Sequence, residues 1–326
     1  MKKALFVGCL VFLIAGCGEK PRSTSVSAES SSGGAQLSKQ SAKTSSAGQN
    51  KIELINAGTE PKQQLRFAPS ANTKQRLQMT MTMNMEMTIA GQTRPAIATP
   101  PIKTTMEAKV TKVDANGDIH ADFSYVDADI VAGANTPPEM VNAIRSQIKQ
   151  MVGASGSMIF DNQGNTKQAN LNLPEGLDPN IKQIAEQMVN SCKQVSSPVP
   201  SEAVGVGAKW RVPHSVTTNG MALNSTTIYE LVGLQNNVAT LQMSVEQQAG
   251  SQKINPPGLP AGASVDLKSL NSQGTGKITR ALNLVMPISS SMSVSSNMEM
   301  NAKQAGDQKE TSIGMKSAIN LSLESQ

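Results

Sequence analysis

Met79, Met81, Met83, Met85, Met87 and Ile89 occupy every second position of one stretch and form the densest chemical feature of the chain. An extended strand sends alternate residues to opposite faces, so these six side chains share one face. A thioether row has two chemical uses. Soft sulfurs at Met-x-Met spacing can hold Cu(I). Equally, flexible Met side chains can line an apolar cavity that repacks around varied acyl chains, or can pack shut on themselves. No His or Cys joins the stripe, which favours the lining over the metal. Asp118, His120 and Asp122 alternate on the polar side of another segment. A metal could use that spacing, but no fourth ligand is visible nearby, and a solvated face is the plainer reading. His214 follows Pro213 in what reads as a loop. The chain has only two His and no Ser/His/Asp or Cys/His grouping that the spacing supports. Phosphate loops, CxxC and HExxH are also missing, so no catalytic residue and no cofactor is assigned, and the expectation is a non-enzymatic protein. Cys192 ends an apolar stripe; it reads as a small buried hydrophobe, with a redox thiol or intermolecular disulfide as the sharper alternative.

The elements that must position these residues are mostly strands. Period-two alternation recurs in Ile119, Ala121, Phe123 and Tyr125, and again in Ala239, Leu241, Met243 and Val245. It returns in Met292, Val294, Met298 and Met300, and in Ile313, Met315, Ile319, Leu321 and Leu323. Long strands buried on one side predict an antiparallel sheet curved around a core or cavity. Turn chemistry separates them: Asp114-Ala115-Asn116-Gly117, Asp161-Asn162-Gln163-Gly164-Asn165, residues 233–237, and Ala305-Gly306-Asp307. Pro-rich gaps at 95–101 and 255–260 read as long inter-strand loops. Two helices are expected. Thr136-Pro137-Pro138-Glu139 reads as a capping box before Met140, Ile144, Ile148 and Met151, and Asp178-Pro179 opens a stripe of Ile181, Ile184, Met188 and Cys192. Both should lie on the sheet or cap an open end.

The predicted fold class is α+β, mainly β: a long-stranded curved antiparallel sheet or open barrel with two covering helices. Asn116-Gly117 and Gly156 recur at one offset as Asn236-Asn237 and Gly276. An internal duplication and chance β patterning both account for that. The repeated halves would be roughly residues 60–175 and 204–326, within a division of the body into residues 51–195, a first β-rich half with two helices, and 196–326, a second β-rich half.

Composition bounds the partners. The net charge is +5. Lys2, Lys3, Lys20, Arg22, Lys39, Lys43 and Lys51, against Glu19 and Glu29, put most of the excess before the body. No basic run interleaved with aromatics follows, so nucleic acid is not an expected partner. Residues 17–50 are Ser, Gly, Ala, Gln and Lys with almost no large apolar side chain, the composition of a disordered tether reaching roughly 30 Å. Aromatics are few, at one Trp, two Tyr and five Phe against 18 Met, so Met must do core work usually given to Phe.

Lys2 and Lys3 precede an apolar run, residues 4–14, too short to span a membrane. It ends in Ile14-Ala15-Gly16-Cys17, which resembles the lipobox of bacterial lipoproteins. The resemblance implies a signal peptide over residues 1–16, lipidation at Cys17, and a membrane as partner through that anchor. It points to the cell envelope, and Gly18 after the Cys, rather than Asp, leans towards an outer membrane in a diderm host.

Gly205-Val206-Gly207-Ala208-Lys209-Trp210, the Met-rich first strand and the Val113–Gly117 hairpin also resemble features of a β-rich bacterial lipoprotein family classed as a domain of unknown function. Its implied fold is similar to that of open-barrel carriers of lipids and lipoproteins. The resemblance transfers no catalytic residue. The expected function is binding of a lipid or acyl chain in a cavity lined by Met79, Met81, Met83, Met85, Met87 and Ile89. A structural or protein-interaction module without ligand is the alternative, and periplasmic copper binding through the stripe is a third reading.

Overall fold

The structure, a computed structural model, describes residues 52–131, 137–177, 182, 198–218, 221–254, 259, 262–304, 306 and 309–326. The first half holds β1 (Glu53–Asn56), β2 (Gln63–Gln64), β3 (Lys74–Ile89), β4 (Gln92–Thr93), β5 (Ile97–Ala98), β6 (Ile102–Val113) and β7 (Ile119–Ile130). Helix α1 (Pro138–Lys149), β8 (Ser155–Phe160) and β9 (Thr166–Asn172) follow. The second half holds β10 (Ala203–Val204), β11 (Lys209–Thr218), β12 (Met221–Gln235), β13 (Val238–Ala249) and β14 (Gln252–Ile254). It ends with β15 (Ser264–Ala281), β16 (Ser289–Lys303) and β17 (Glu310–Ser325).

Nearly all of these strands join one antiparallel sheet in the order β1-β11-β12-β13-β15-β16-β17-β3-β6-β7-β8-β9, which does not close into a barrel. Short β4 and β5 pair with β3, β14 pairs with β15, and β2 pairs with β10 in a small sheet of its own. The mainly β reading of the sequence is what the chain adopts. The two halves are not separate sheets: β17 runs beside β3 from Ile313↔Ile89 to Ser325↔Leu77, and β1 crosses over to pair with β11.

Alternation explains the faces. In β16, Val294, Ser296, Met298 and Met300 are buried while Ser293, Ser295, Asn297 and Glu299 are exposed, and β15 behaves the same way. The buried apolar residues of the central strands lie on this one face, called here the apolar face, apart from Ala281 at the end of β15. The hairpins form where expected. Gly117 and Gly164 take the left-handed conformation at the two Asx-rich turns, where a side chain would be strained. Asp161 organises its turn, its carboxylate accepting from the backbone N–H groups of Gln163 and Asn165. The third turn is tighter than residues 233–237. Asn236 and Asn237 alone make it, both at positive φ as a type I′ turn requires, and β12 runs on through a bulge near Gly233.

Other local expectations need correction. The gap at 95–101 is not a plain loop, because β5 folds back onto β3 at Met85↔Ile97 and Asn84↔Ala98. His214 is not in a loop either; it is buried in β11. Pro213 is tolerated in that strand because β1 covers β11 only at Lys209, Trp210 and Arg211, so that among the described residues no strand pairs with Pro213 on that side. Helix α1 forms, but Pro137 is its N-cap and no side chain caps it, so the capping box is absent. Its buried residue is Val141, while Met140 is exposed. The helix packs along β7 beyond the part that β8 pairs, with Arg145 Nε donating to Asp129 at 2.7 Å. That contact turns Val141 and Arg145 towards β7 and rotates Met140 away. The second expected helix, with Cys192, lies outside the described residues apart from Lys182.

Two apolar clusters occupy the ends of the apolar face. One gathers Leu77, Val110, Ile119, Trp210, Tyr229, Leu231, Leu241 and Ile278 under Leu65, Phe67 and Val199. The other gathers Met85, Met221, Leu223, Leu267, Leu270, Met298, Met300 and Met315. Trp210 anchors the first: it is fully buried, stacks on Tyr229 at 5.6 Å, and its Nε1 donates to the Pro198 carbonyl at 3.1 Å. The turn before it depends on backbone contact. Gly205 N–H donates to Ala57 O at 2.9 Å, and a Cβ on Gly205 would collide with the Thr59 carbonyl oxygen. Gly205→Ala is therefore expected to lower stability by about 1–3 kcal/mol. A thermal melt of the exported chain measures this; an unchanged midpoint would show that the 57–61 segment yields freely.

Candidate functional site

The Met stripe is divided between filled and open surroundings. Met83 and Met85 are buried, Met85 within the second cluster, whereas Met79, Met81, Met87 and Ile89 are half-buried. The register of the sheet continues the stripe sideways into a row that sequence reading missed. Trp210, Tyr229, Met243, Gly276, Met292, Leu321, Met81, Ile102 and Ile130 are successive cross-strand partners from β11 to β7. Trp210, Tyr229 and Ile130 are buried. Between them Met243, Gly276, Met292, Leu321, Met81 and Ile102 are only half-buried. The row is thus closed at both ends and partly open in the middle, between the two clusters.

Gly276 is the low point of this row. A Cβ there would lie 3.1 Å from Met243 Cγ and 3.3 Å from its sulfur, so the Met243 thioether lies across the glycine. A flexible, polarisable side chain over a glycine can move aside at little cost. Beside the row the apolar face also carries buried hydroxyls. Ser225, Ser272 and Ser296 are buried in a single cross-strand row that passes through Gln247, with Ser272 and Ser296 hydrogen-bonded to each other at 2.6 Å.

Arg280 is the other residue that sequence reading missed. It falls in the apolar phase of β15, after Ile278, where a charge is unexpected. Its guanidinium lies over the Phe67 ring at 4.4 Å from the centroid. Its Nε is enclosed without a hydrogen-bond partner. Burial pulls its pKa down to about 10, Tyr229 acts in the opposite direction, and no carboxylate contributes.

The sheet carries a concavity at this level, with the polar side chains that flank the row along its walls. Ile55, Lys209, Glu230, Gln242, Lys277, Ser291, Ser322 and Thr80, with a parallel row of Ile228, Ser244, Thr275, Ser293, Asn320 and Thr82, line a trough of about 1030 Å³, and Met243, Gly276, Met292 and Leu321 of the half-buried row lie between the two rows and line it as well. Strands from β1 to β3 all contribute, so the polar face is concave across the strands at that level. Its side chains are partly tied to one another. Ser293 Oγ donates to Asn320 Oδ1 at 2.6 Å, and Lys209 pairs with Glu230 at 3.1 Å.

The Asp118, His120, Asp122 grouping does not converge on one point. His120 Nε2 lies 2.7 Å from Asp114 Oδ2, Asp118 pairs with Lys167 and Asn116, and Asp122 is exposed. Among the described residues no group of three or more His, Cys, Asp or Glu is arranged to hold a metal. Lys112, then His120, hold the Asp114 carboxyl below its ordinary value, and Lys167 does the same for Asp118. Cys17 and Cys192 lie outside the described residues. No helix among the described residues is long and apolar enough to cross a membrane. No family model matches the chain, and no curated protein matches it.

A depressed carboxylate pKa adds stability above the unfolded value, and that stability is lost as pH falls through the folded value. In Lys167→Met the Asp118 carboxyl is expected to titrate closer to 3.8, removing its share of acid sensitivity. Carboxyl NMR over a pH series reads this directly. An unmoved titration would assign the shift to Asn116 instead.

Proposed function

We propose that this chain is a non-enzymatic envelope lipoprotein, anchored through Cys17, that binds a lipid or acyl chain along the apolar face of its sheet. The observation that carries the reading is the half-open row Met243, Met292, Leu321, Met81 between two filled clusters. A contiguous apolar surface left partly uncovered in an otherwise buried face is where an apolar ligand gains most from leaving water. Met79 and Met81 extend the row along β3, and Met side chains adapt to chains of different length and unsaturation. The lipobox resemblance of Ile14-Ala15-Gly16-Cys17, the tether-like 17–50 segment and the likeness to open-barrel lipid carriers agree with a body held near a membrane.

The polar trough favours a second reading. A hydroxyl- and amide-rich concavity spanning eight strands suits a protein or other polar partner, as in an interaction module without an apolar ligand.

Native mass spectrometry of residues 51–326, which contain every described strand, exported and purified without detergent, separates the two. Added mass that organic extraction removes and that matches lipid is the expected result. A bare mass, unchanged when lipid or Cu(I) is offered, would sink both ligand readings and leave the interaction module.

A further inference from the structure

The walls of the trough carry little charge for a surface in water. Ser244, Thr275, Ser293, Asn320 and Thr82 are direct cross-strand partners from β13 to β3 and hold only hydroxyls and one amide. Ser244, Thr275, Ser293 and Asn320 are exposed. A solvated sheet face ordinarily mixes charges of both signs, which keep it soluble and guard it against other sheets. In the parallel row Glu230 answers Lys209 at 3.1 Å, which leaves Lys277 the single charge in excess among the lining residues. Such walls offer donors and acceptors together on successive strands, with almost no net field.

The dimensions narrow the occupant. With strands about 4.8 Å apart, the six from β12 to β3 span roughly 24 Å, and the two rows, two residues apart along each strand, stand about 7 Å from each other. Met243, Gly276, Met292 and Leu321 fall between the rows, so alternation turns their side chains to the apolar face and leaves their backbone as the floor. A trough of that form holds one extended chain rather than a folded domain. The usual ways of holding a peptide do not fit it. Strands β12, β13, β15, β16 and β17 are each paired on both sides, so their backbone is closed to an added strand. Among the described residues no aromatic side chain lines the trough to hold a proline-rich segment, no Arg cluster to hold an acidic one, and no continuous apolar wall to hold an amphipathic helix. A nucleic acid strand would need aromatic platforms and a basic groove. Ile55, 51% exposed, and Ile228 form a small apolar platform at the β1 end.

We propose that the trough binds a neutral linear glycan laid across the strands. This rests on the reading of the trough as an interaction surface and gives that surface a ligand class. A sugar hydroxyl is both donor and acceptor, as are the Ser and Thr hydroxyls of the two rows, so each can pair with the other without a charge on either side. The strand spacing repeats these contacts along the chain, and the platform of Ile55 and Ile228 takes the C–H face of a ring at one end. Chains with and without N-acetyl groups share this chemistry, and the Gln242 and Asn320 amides are the wall groups that could distinguish them.

The test uses the full chain in phosphatidylcholine nanodiscs, titrated with chitohexaose or cellohexaose, and reads lysine acylation by peptide mass spectrometry. Lys277 lines the trough, whereas Lys109 and Lys316 are exposed outside its lining and serve as internal controls. At about five times its dissociation constant a glycan in the trough is expected to slow acylation of Lys277 about six-fold and leave the controls unchanged. Ser293→Arg, which puts a long side chain into the trough, should remove that protection. Ser295→Arg, on the same face two residues along β16 and outside the lining, should keep it. Protection by chitohexaose alone would identify an N-acetylated chain, and protection by both glycans a chain read through its hydroxyls. Protection by neither in the unmodified chain, which needs no variant to fold, would overturn the proposal. If an envelope protein fraction then shields Lys277, the interaction reading stands without the glycan; if nothing shields it, that reading falls as well.

Discussion

The pairing of β17 with β3 is the constraint on which the rest of the molecule depends. It joins the first and second halves in the middle of the sheet, along nearly the whole of both strands. Its register sets Met81 opposite Leu321, Met83 opposite Ile319 and Met79 opposite Leu323. Side chains alternate with a period of two, so a slip of one residue would set the apolar face of one half beside the polar face of the other. Both end clusters and the row between them would then come apart. In-register pairing makes the Met stripe of β3 one segment of a surface that extends to Trp210 on β11.

That surface is unevenly filled for reasons of composition. With so few aromatics, the chain places its Trp and Tyr229 together in one cluster and leaves the other to Met and Leu. Loops 65–70 and 198–204 descend over the first cluster. Phe67 N–H donates to Asn162 O at 2.7 Å and Val199 N–H to Gln163 O at 2.9 Å. These bonds tie the β8–β9 turn to segments that cover Trp210 and Tyr229. Helix α1 sits at the flank beside β7, where it shields an otherwise free strand edge.

Strand identity was largely legible in the sequence, because alternation is local and each hairpin carries its own turn residues. The Asn116-Gly117 turn and the Met79–Met87 phase illustrate this. Partnership across distance was not. Nothing near Met81 announces Leu321, and the row through Gly276 exists only once β13, β15 and β16 are laid side by side. Arg280 carried a readable signal, a charge in the apolar phase of a strand, but its isolation from any acid is a property of the assembled sheet. His214 and Pro213 misled because proline argues against a strand, and the edge that permits it appears only where the described pairing of β1 with β11 stops, at Glu53↔Arg211. The Asp118, His120, Asp122 spacing was ambiguous in the same way: Asp114, which claims His120, comes from the hairpin base, and Lys167, which claims Asp118, comes from β9, two strands away from β7.

The central seam also governs the order of assembly. Each half can form hairpins as its turns are made, but β3 must wait for β17, the most C-terminal strand of the sheet. Until then the Met-bearing edge of β3 and the edge of β16 are both unpaired, each a template for the wrong neighbour. Closing a loop of that length before any reward is gained makes folding slow. A chain built this way stays open until β17 has been made, and in that interval it is a substrate for chaperones that hold unfolded chains.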